Sequence, residues 1–250
     1  MAGFVAWLWL PTRTRPTTRH ARRYHEQPGP AQLLPMSIEL YGHPFAAFVW
    51  KPLIAAYERG VGFSFRMVDQ DHPENLARMR ELSPTGQFPA LVDGPNCVTQ
   101  SNAVVEYLDR FGNAPPMVPQ ERDSALRSRM LAEVFDSYVA TPMQHVVAEA
   151  LRPLEQRDPR RVDEAKAALE QAYAWLADRI GNGWANGSGF SIADCAAAPA
   201  LFYADWVHPI AAPALRNYRA RLLARPSVAR VVDEARPYRK LFPLGAPLRD

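Results

Sequence analysis

Cysteine is scarce: only Cys97 and Cys195 occur in 250 residues. Two thiols so far apart make neither a disulfide framework nor a metal-ligand cluster, and they point to a reducing compartment, the cytoplasm. Long apolar runs are missing as well. The stretch Phe4–Leu10 is too short to cross a bilayer. It has no basic flank before it and no small-residue cleavage site after it, which argues against a secretory signal. Charge of one sign is not in excess. The formal balance is +3, yet Arg13, Arg15, Arg19, Arg22 and Arg23 against Glu26 account for all of it within the first 36 residues, leaving the remainder close to −1. No basic face therefore announces nucleic acid, and no membrane partner is expected. Internal repeats are absent too.

What remains is an ordinary globular composition, 48% hydrophobic and 22% charged, enough for two domains with real cores. Residues 1–35, rich in Arg, Thr and Pro, read as a disordered tail or as a leader translated upstream of a start at Met36. Residues 36–114 then alternate strand and helix signals. Ile38–Tyr41 reads as a strand ending at Gly42 and Pro44. Ala47–Arg59 reads as a helix stopped by Gly60. Residues 63–68 alternate as a second strand, and Pro73–Leu82 forms a helix. Phe88–Val92 and Cys97–Thr99 flank a hairpin loop, and Ser101–Phe111 is helical. Three prolines between Gly112 and Pro119 mark a linker.

Residues 120–245 carry no strand pattern. Glu121–Leu154 reads as one long helix with a kink at Pro142. Val162, Leu169, Leu176 and Ile180 form the apolar stripe of another. Ser191-Ile192-Ala193-Asp194 matches a capping box that opens a nearly uncharged helix, expected to be the buried centre of a bundle. Two short helices, 212–223 and 227–235, and a surface strap after Arg236 complete it. The fold class is a thioredoxin-like α+β domain followed by an all-α bundle.

Two stretches carry chemistry. In Ser83–Gly94, Pro89 opens a strand after a turn, a position that suits a cis peptide bond or a plain edge-strand turn. With a cis bond, the backbone of Phe88 can pair with an extended peptide. In Gln100–Ala103, Ser101 is a candidate helix cap, either an ordinary one or one whose neighbouring amides receive an anion.

Taken together and in order, these stretches resemble the glutathione S-transferase family, whose pattern runs S-P-x-G-x-x-P-x-L and then E/Q-S. Leu40–Phe45, Phe135–Val139 with Pro142–Gln144, and the capping box at 191–194 extend the resemblance over residues 37–240. It implies glutathione as substrate, with no metal. Phe88 would hold its cysteinyl backbone beside a cis Pro89, Gln100 and Ser101 would hold the γ-glutamyl end, and Gln87 the glycyl end, with His72 a weaker candidate there. The acceptor pocket for a hydrophobic electrophile would use Phe45, Tyr138 and Trp206. A homodimer is implied as well.

The sequence departs from the family where the thiol must ionise. Relatives with Leu-Tyr-Gly-His-Pro-Phe continue with Ser-Ser; this chain has Ala46-Ala47. Pro52 removes a further amide from the helix, and Tyr41 is the replacement donor candidate, with His43 a bystander. Cys97 and Cys195 both read as small core residues. The expectation is a glutathione transferase acting in detoxification. The alternatives are a glutathione-binding or interaction protein without thiol activation, and a glutathione-dependent peroxidase or reductase.

Overall fold

A computed structural model describes residues 38–187 and 189–250; the expectations for residues 1–35 lie outside the described residues. Strand β1 (Glu39–Gly42) is followed by helix α1 (Ala47–Arg59), β2 (Ser64–Met67) and α2 (Pro73–Leu82), then by the hairpin β3 (Ala90–Asp93) and β4 (Asn96–Thr99) and by α3 (Ser101–Leu108). The sheet order is β2-β1-β3-β4. β1 runs parallel to β2 and antiparallel to β3. Alternation along β1 explains why both faces are covered. Leu40 and Ile38 point into the main core with Val49, Leu53, Val104 and Leu108 of α1 and α3. Tyr41 points the other way, against Val68, Met79 and Ala90 beneath α2.

Helix α1 ends where the sequence says it must, with Gly60 in the left-handed region at φ 64°. The next connection is also tight. Gly112, at φ +73°, comes so close to the Arg59 carbonyl that an added Cβ would lie 2.1 Å from that oxygen. The Arg59 guanidinium folds over the same turn, donating to the carbonyls of Asp109, Phe111 and Gly112.

From residue 122 the chain is helical: α4 (Arg122–Val134), α5 (Thr141–Leu151), α6 (Pro159–Ala177), α7 (Ile192–Val207), α8 (Pro213–Leu223) and α9 (Pro226–Ala235). The expected kink at Pro142 takes an unexpected form. A π-helical turn, Phe135–Ala140, joins α4 to α5 and ends two residues before the proline. Pro142 has no N–H to return to the preceding turn, and widening the ladder ahead of it relieves that mismatch. The Thr141 hydroxyl donates to the Asp136 carbonyl at 3.0 Å within the same turn.

The capping box forms as read. Asp194 accepts from the Ser191 amide at 2.9 Å. It also accepts from the Ala185 amide at 2.8 Å and from the Tyr218 hydroxyl at 2.7 Å. Helix α7 is the buried centre of the bundle and packs across α1. After α9, the segment Arg236–Leu241 forms a 3₁₀ turn that leads to Phe242, itself buried. This C-terminal stretch is therefore part of the core closure and more than a surface strap.

Candidate functional site

Pairing of β1 with β3 stops at Ala90 opposite Tyr41, and Ala90 is also the last partner of Thr99 in the hairpin. Pro89 and Gln100 thus come directly after the last pair of the ladder, with Phe88 and Ser101 one position beyond them. The Phe88–Pro89 bond is cis. Gln100 sits at φ 70°, the one positive-φ non-glycine among the described residues, a conformation that costs on the order of 1–3 kcal/mol. Ser101 is the first helical residue and Gln100 occupies the cap position, so the expectation that Ser101 caps the helix is corrected by one position. The side chain of the cap residue Gln100 makes no hydrogen bond to the opening amides of α3, and helix-opening amides of this kind are anion donors.

Between these two features lies a cleft of about 400 Å³. Gln87, Phe88 and Pro89 form one side, Gln100 and Ser101 the helix end, and Phe48, Glu133 and Asp136 the back. All five residues expected from sequence to hold glutathione line this one cavity.

The back wall rests on a buried charge pair that the sequence reading missed. Lys51, on α1, is fully buried and its Nζ lies 2.5 Å from Asp136 Oδ2 in the π turn. Asn102 Nδ2 donates to Asp136 Oδ2 at 3.0 Å and to Glu133 Oε1 at 2.9 Å. Burial pushes the Lys51 ammonium down from its usual range and the Asp136 carboxyl up, each opposed by the other's charge. Desolvation is the larger influence on both, as expected for an ion pair taken out of water. A single lysine in the otherwise apolar run Ala47–Ala56 was the available signal.

At the end where a thiol would lie, α1 begins at Ala47 with Ala46 at the cap position and no side-chain cap. Both alanines are buried, and the ring of Phe48 lines the cleft beside them. Tyr41 is not there. Its hydroxyl donates to Glu39 Oε2 at 3.0 Å on the opposite face of the sheet, and burial followed by that carboxylate holds its pKa up. Tyr41 is thereby placed away from the role of thiol donor. Pro52 is also displaced from its expected part. It lies in the second turn, behind the amides of Ala47 and Phe48 that open the helix.

His43 is 1% exposed, and its Nδ1 accepts from the Phe45 amide at 3.1 Å. His72 is paired with Asp69 at 2.6 Å and is not among the lining residues.

The three acceptor-pocket residues do not form one pocket. Phe45 is 1% exposed, sealed against Tyr203 and Trp206. Phe242 closes over that pair from the C-terminal stretch. Tyr138, at 62% exposure, belongs to a separate groove with Val134 and Trp175 on the outer face of the bundle. Cys195 is buried, and desolvation raises its thiol pKa far above the usual range. Cys97 is exposed at β4, contrary to the reading of it as a core residue. Among the described residues there is no group of three or more His, Cys, Asp or Glu able to hold a metal, and no helix long and apolar enough to cross a membrane.

Comparison with known proteins matches this arrangement. Residues 36–110 fit the family model described as "Glutathione S-transferase, N-terminal domain", and residues 159–221 the one described as "Glutathione S-transferase, C-terminal domain". A "Probable maleylacetoacetate isomerase" of Vibrio cholerae is 26% identical over 215 residues, covering 81% of this chain and 98% of the relative. "Glutathione S-transferase 1" of Dianthus caryophyllus is 26% identical over 148 residues, 59% of this chain but only 62% of the relative's length. Among solved structures, a glutathione S-transferase of Methylobacillus flagellatus with glutathione bound superposes with a TM-score of 0.70 at 22% identity, covering 78% of this chain and 98% of that one. With its thioredoxin-like sheet, its cis Pro89, its capping box and both domain patterns in sequence order, this chain belongs to the glutathione S-transferase family.

Proposed function

We propose that the cleft beside Pro89 binds glutathione and that the protein conjugates it to a hydrophobic electrophile. The observation that carries this reading is the meeting, in one cavity, of a strand end that exposes the Phe88 backbone and a helix end whose amides are uncapped. The cysteinyl backbone pairs with Phe88 as an added antiparallel segment. The γ-glutamyl carboxylate rests on the α3 amides and the Ser101 hydroxyl. Gln87 faces the glycyl end. Activation of the sulfur falls to the backbone, since the amides of Ala47 and Phe48 open α1 and no acidic residue stands in its first turn; a helix N-terminus lowers a thiol's pKa.

A second reading, binding without catalysis, is favoured by a specific observation: at the sulfur end stand two alanines and a phenylalanine ring, none of them a hydrogen-bond donor through its side chain. The thiolate absorbance of bound glutathione, titrated against pH, separates the two. A thiol pKa below about 7.5 supports the transferase; a value near that of a free thiol, about 8.5, supports the binding protein.

We further propose that the chain pairs as a homodimer through the outer faces of α4 and α6, where Leu126 is 68% exposed and Met130, 48% exposed, shares a groove with Trp175. Sedimentation at the mass of a single chain would refute that pairing. The cytoplasm is the proposed compartment.

A further inference from the structure

One edge of the sheet is open. β2 stands at the end of the strand order, with β1 on its inner side. The amides of Ser64 and Val68 donate inward, to the carbonyls of Ile38 and Gly42. Successive residues of a strand turn their backbone groups to opposite sides, so Phe65 and Met67 present theirs outward. The Asn75 side chain donates to the Met67 carbonyl at 2.8 Å, but no strand of the described residues meets the amides of Phe65 and Met67. Beside this edge lies a groove of about 670 Å³, walled by Leu53, Val61, Phe63 and Phe65. Gly62 lines it too, and a Cβ there would meet nothing within 4 Å. Arg230, 61% exposed and 3.8 Å over the Tyr57 ring, stands at the groove's far side.

The chain itself supplies an occupant. Phe4–Leu10 carries no charge and three aromatic rings, and neither a bilayer span nor a secretory signal accounts for it. A seven-residue run of this composition is an aggregation hazard when left in water. It is tethered close to the groove, because the described residues begin at Ile38, whose carbonyl takes the amide that opens β2. The 27 residues from Pro11 to Ser37 reach much farther than the spacing of about 5 Å between neighbouring strands. A tether of that length holds the run at an effective concentration on the order of millimolar.

We propose that Phe4–Leu10 docks in extended form along the outer edge of β2, with its backbone pairing to Phe65 and Met67 and with Val5, Trp7 and Trp9 entering the groove. Strand addition takes its affinity from main-chain hydrogen bonds and its specificity from alternate side chains seated in pockets. Val5, Trp7 and Trp9 are one such alternate set, and the Arg230 guanidinium can stack on an indole face. The docked run covers an edge that is otherwise a template for pairing with another molecule.

Amide hydrogen exchange of the full chain, resolved by residue with NMR, tests the proposal against the double variant Trp7→Asp, Trp9→Asp. Neither position belongs to the sheet or its core, so the variant leaves the described fold intact. The Phe65 and Met67 amides are expected to exchange at least about tenfold more slowly in wild type than in the variant, at every protein concentration. A difference smaller than about tenfold overturns the proposal. Protection that rises with protein concentration overturns it as well, and assigns the edge to a second copy of the chain.

Discussion

His43 should make the protein acid-labile by a calculable amount. It sits in the short connection between β1 and α1, directly before the residues that open the cleft. The imidazole is almost wholly enclosed, with its edge against Tyr238 at 4.7 Å between ring centres and Nδ1 taking the Phe45 amide proton. Burial drives its pKa from 6.5 down to about 4, with Asp69 exerting a weaker opposite pull. The unfolded chain therefore takes up a proton on this side chain near pH 6.5, while the native state refuses it until about pH 4. Stability is complete above the upper value and is lost as pH falls through the window between the two. At about 1.4 kcal/mol per pH unit, the loss amounts to about 3 kcal/mol. His43→Asn keeps an acceptor within reach of the Phe45 amide and removes the titration. Urea denaturation followed by tryptophan fluorescence, at intervals from pH 7.5 to 4, should show wild type losing about 3 kcal/mol more than the variant over that range. Carboxylates that titrate in the same interval contribute to both proteins and cancel in the difference. Stability curves that run parallel to within about 0.5 kcal/mol would refute the assignment of a buried, neutral imidazole.

Other residues give sharper single tests. Asp136→Ala strands the Lys51 ammonium in the core and should cost about 3–5 kcal/mol of unfolding free energy in urea, most of it recovered by adding Lys51→Met. Ser101→Ala should weaken glutathione by about 1–2 kcal/mol in a calorimetric titration, through loss of a charge-assisted contact at the α3 end. Gly112→Ala forces a Cβ onto the Arg59 carbonyl at positive φ. It should cost about 3 kcal/mol, seen as a fall of roughly 6–12 °C in Tm by calorimetry. Ala46→Ser places a hydroxyl at the cap of α1, where it can donate to a bound sulfur. It should raise turnover with a chromogenic electrophile by about ten- to a hundredfold, since a bond to a charged group contributes about 1.5–3 kcal/mol.

The succession of strands and helices was legible because periodicity and punctuation agree: alternation in β1 and β2, Gly60 after α1, the capping box before α7. That Gln87, Phe88, Pro89, Gln100 and Ser101 share one cleft was legible because short, ordered motifs place them on backbone features, a cis proline and a helix start, which survive changes in the surrounding side chains. What sequence did not give was the long-range pairing. Lys51 and Asp136 are 85 positions apart, and nothing local distinguishes a buried lysine from a solvated one. The same holds for the acceptor residues. Phe45 and Trp206 do approach each other, but Phe45 is sealed in the core and Trp206 packs against Phe242, which reaches back from the far end of the chain. Tyr41 failed for a local reason: in a strand the neighbour of an inward Leu40 must face away, so the same alternation that revealed the strand already directed the phenol to the other side.

The wide turn at Phe135–Ala140 has a consequence for how the chain tolerates change. A helix advances about 100° per residue, so accommodating one extra residue there rotates everything downstream by that angle relative to an unbroken helix. Phe135, Val139 and Met143 nonetheless all reach the core, and Asp136 meets Lys51. Trimming a residue from this stretch would restore regular winding and, in doing so, swing either the carboxylate away from its lysine or the following helix off the bundle. The segment is a phase adjuster whose length is fixed from both sides.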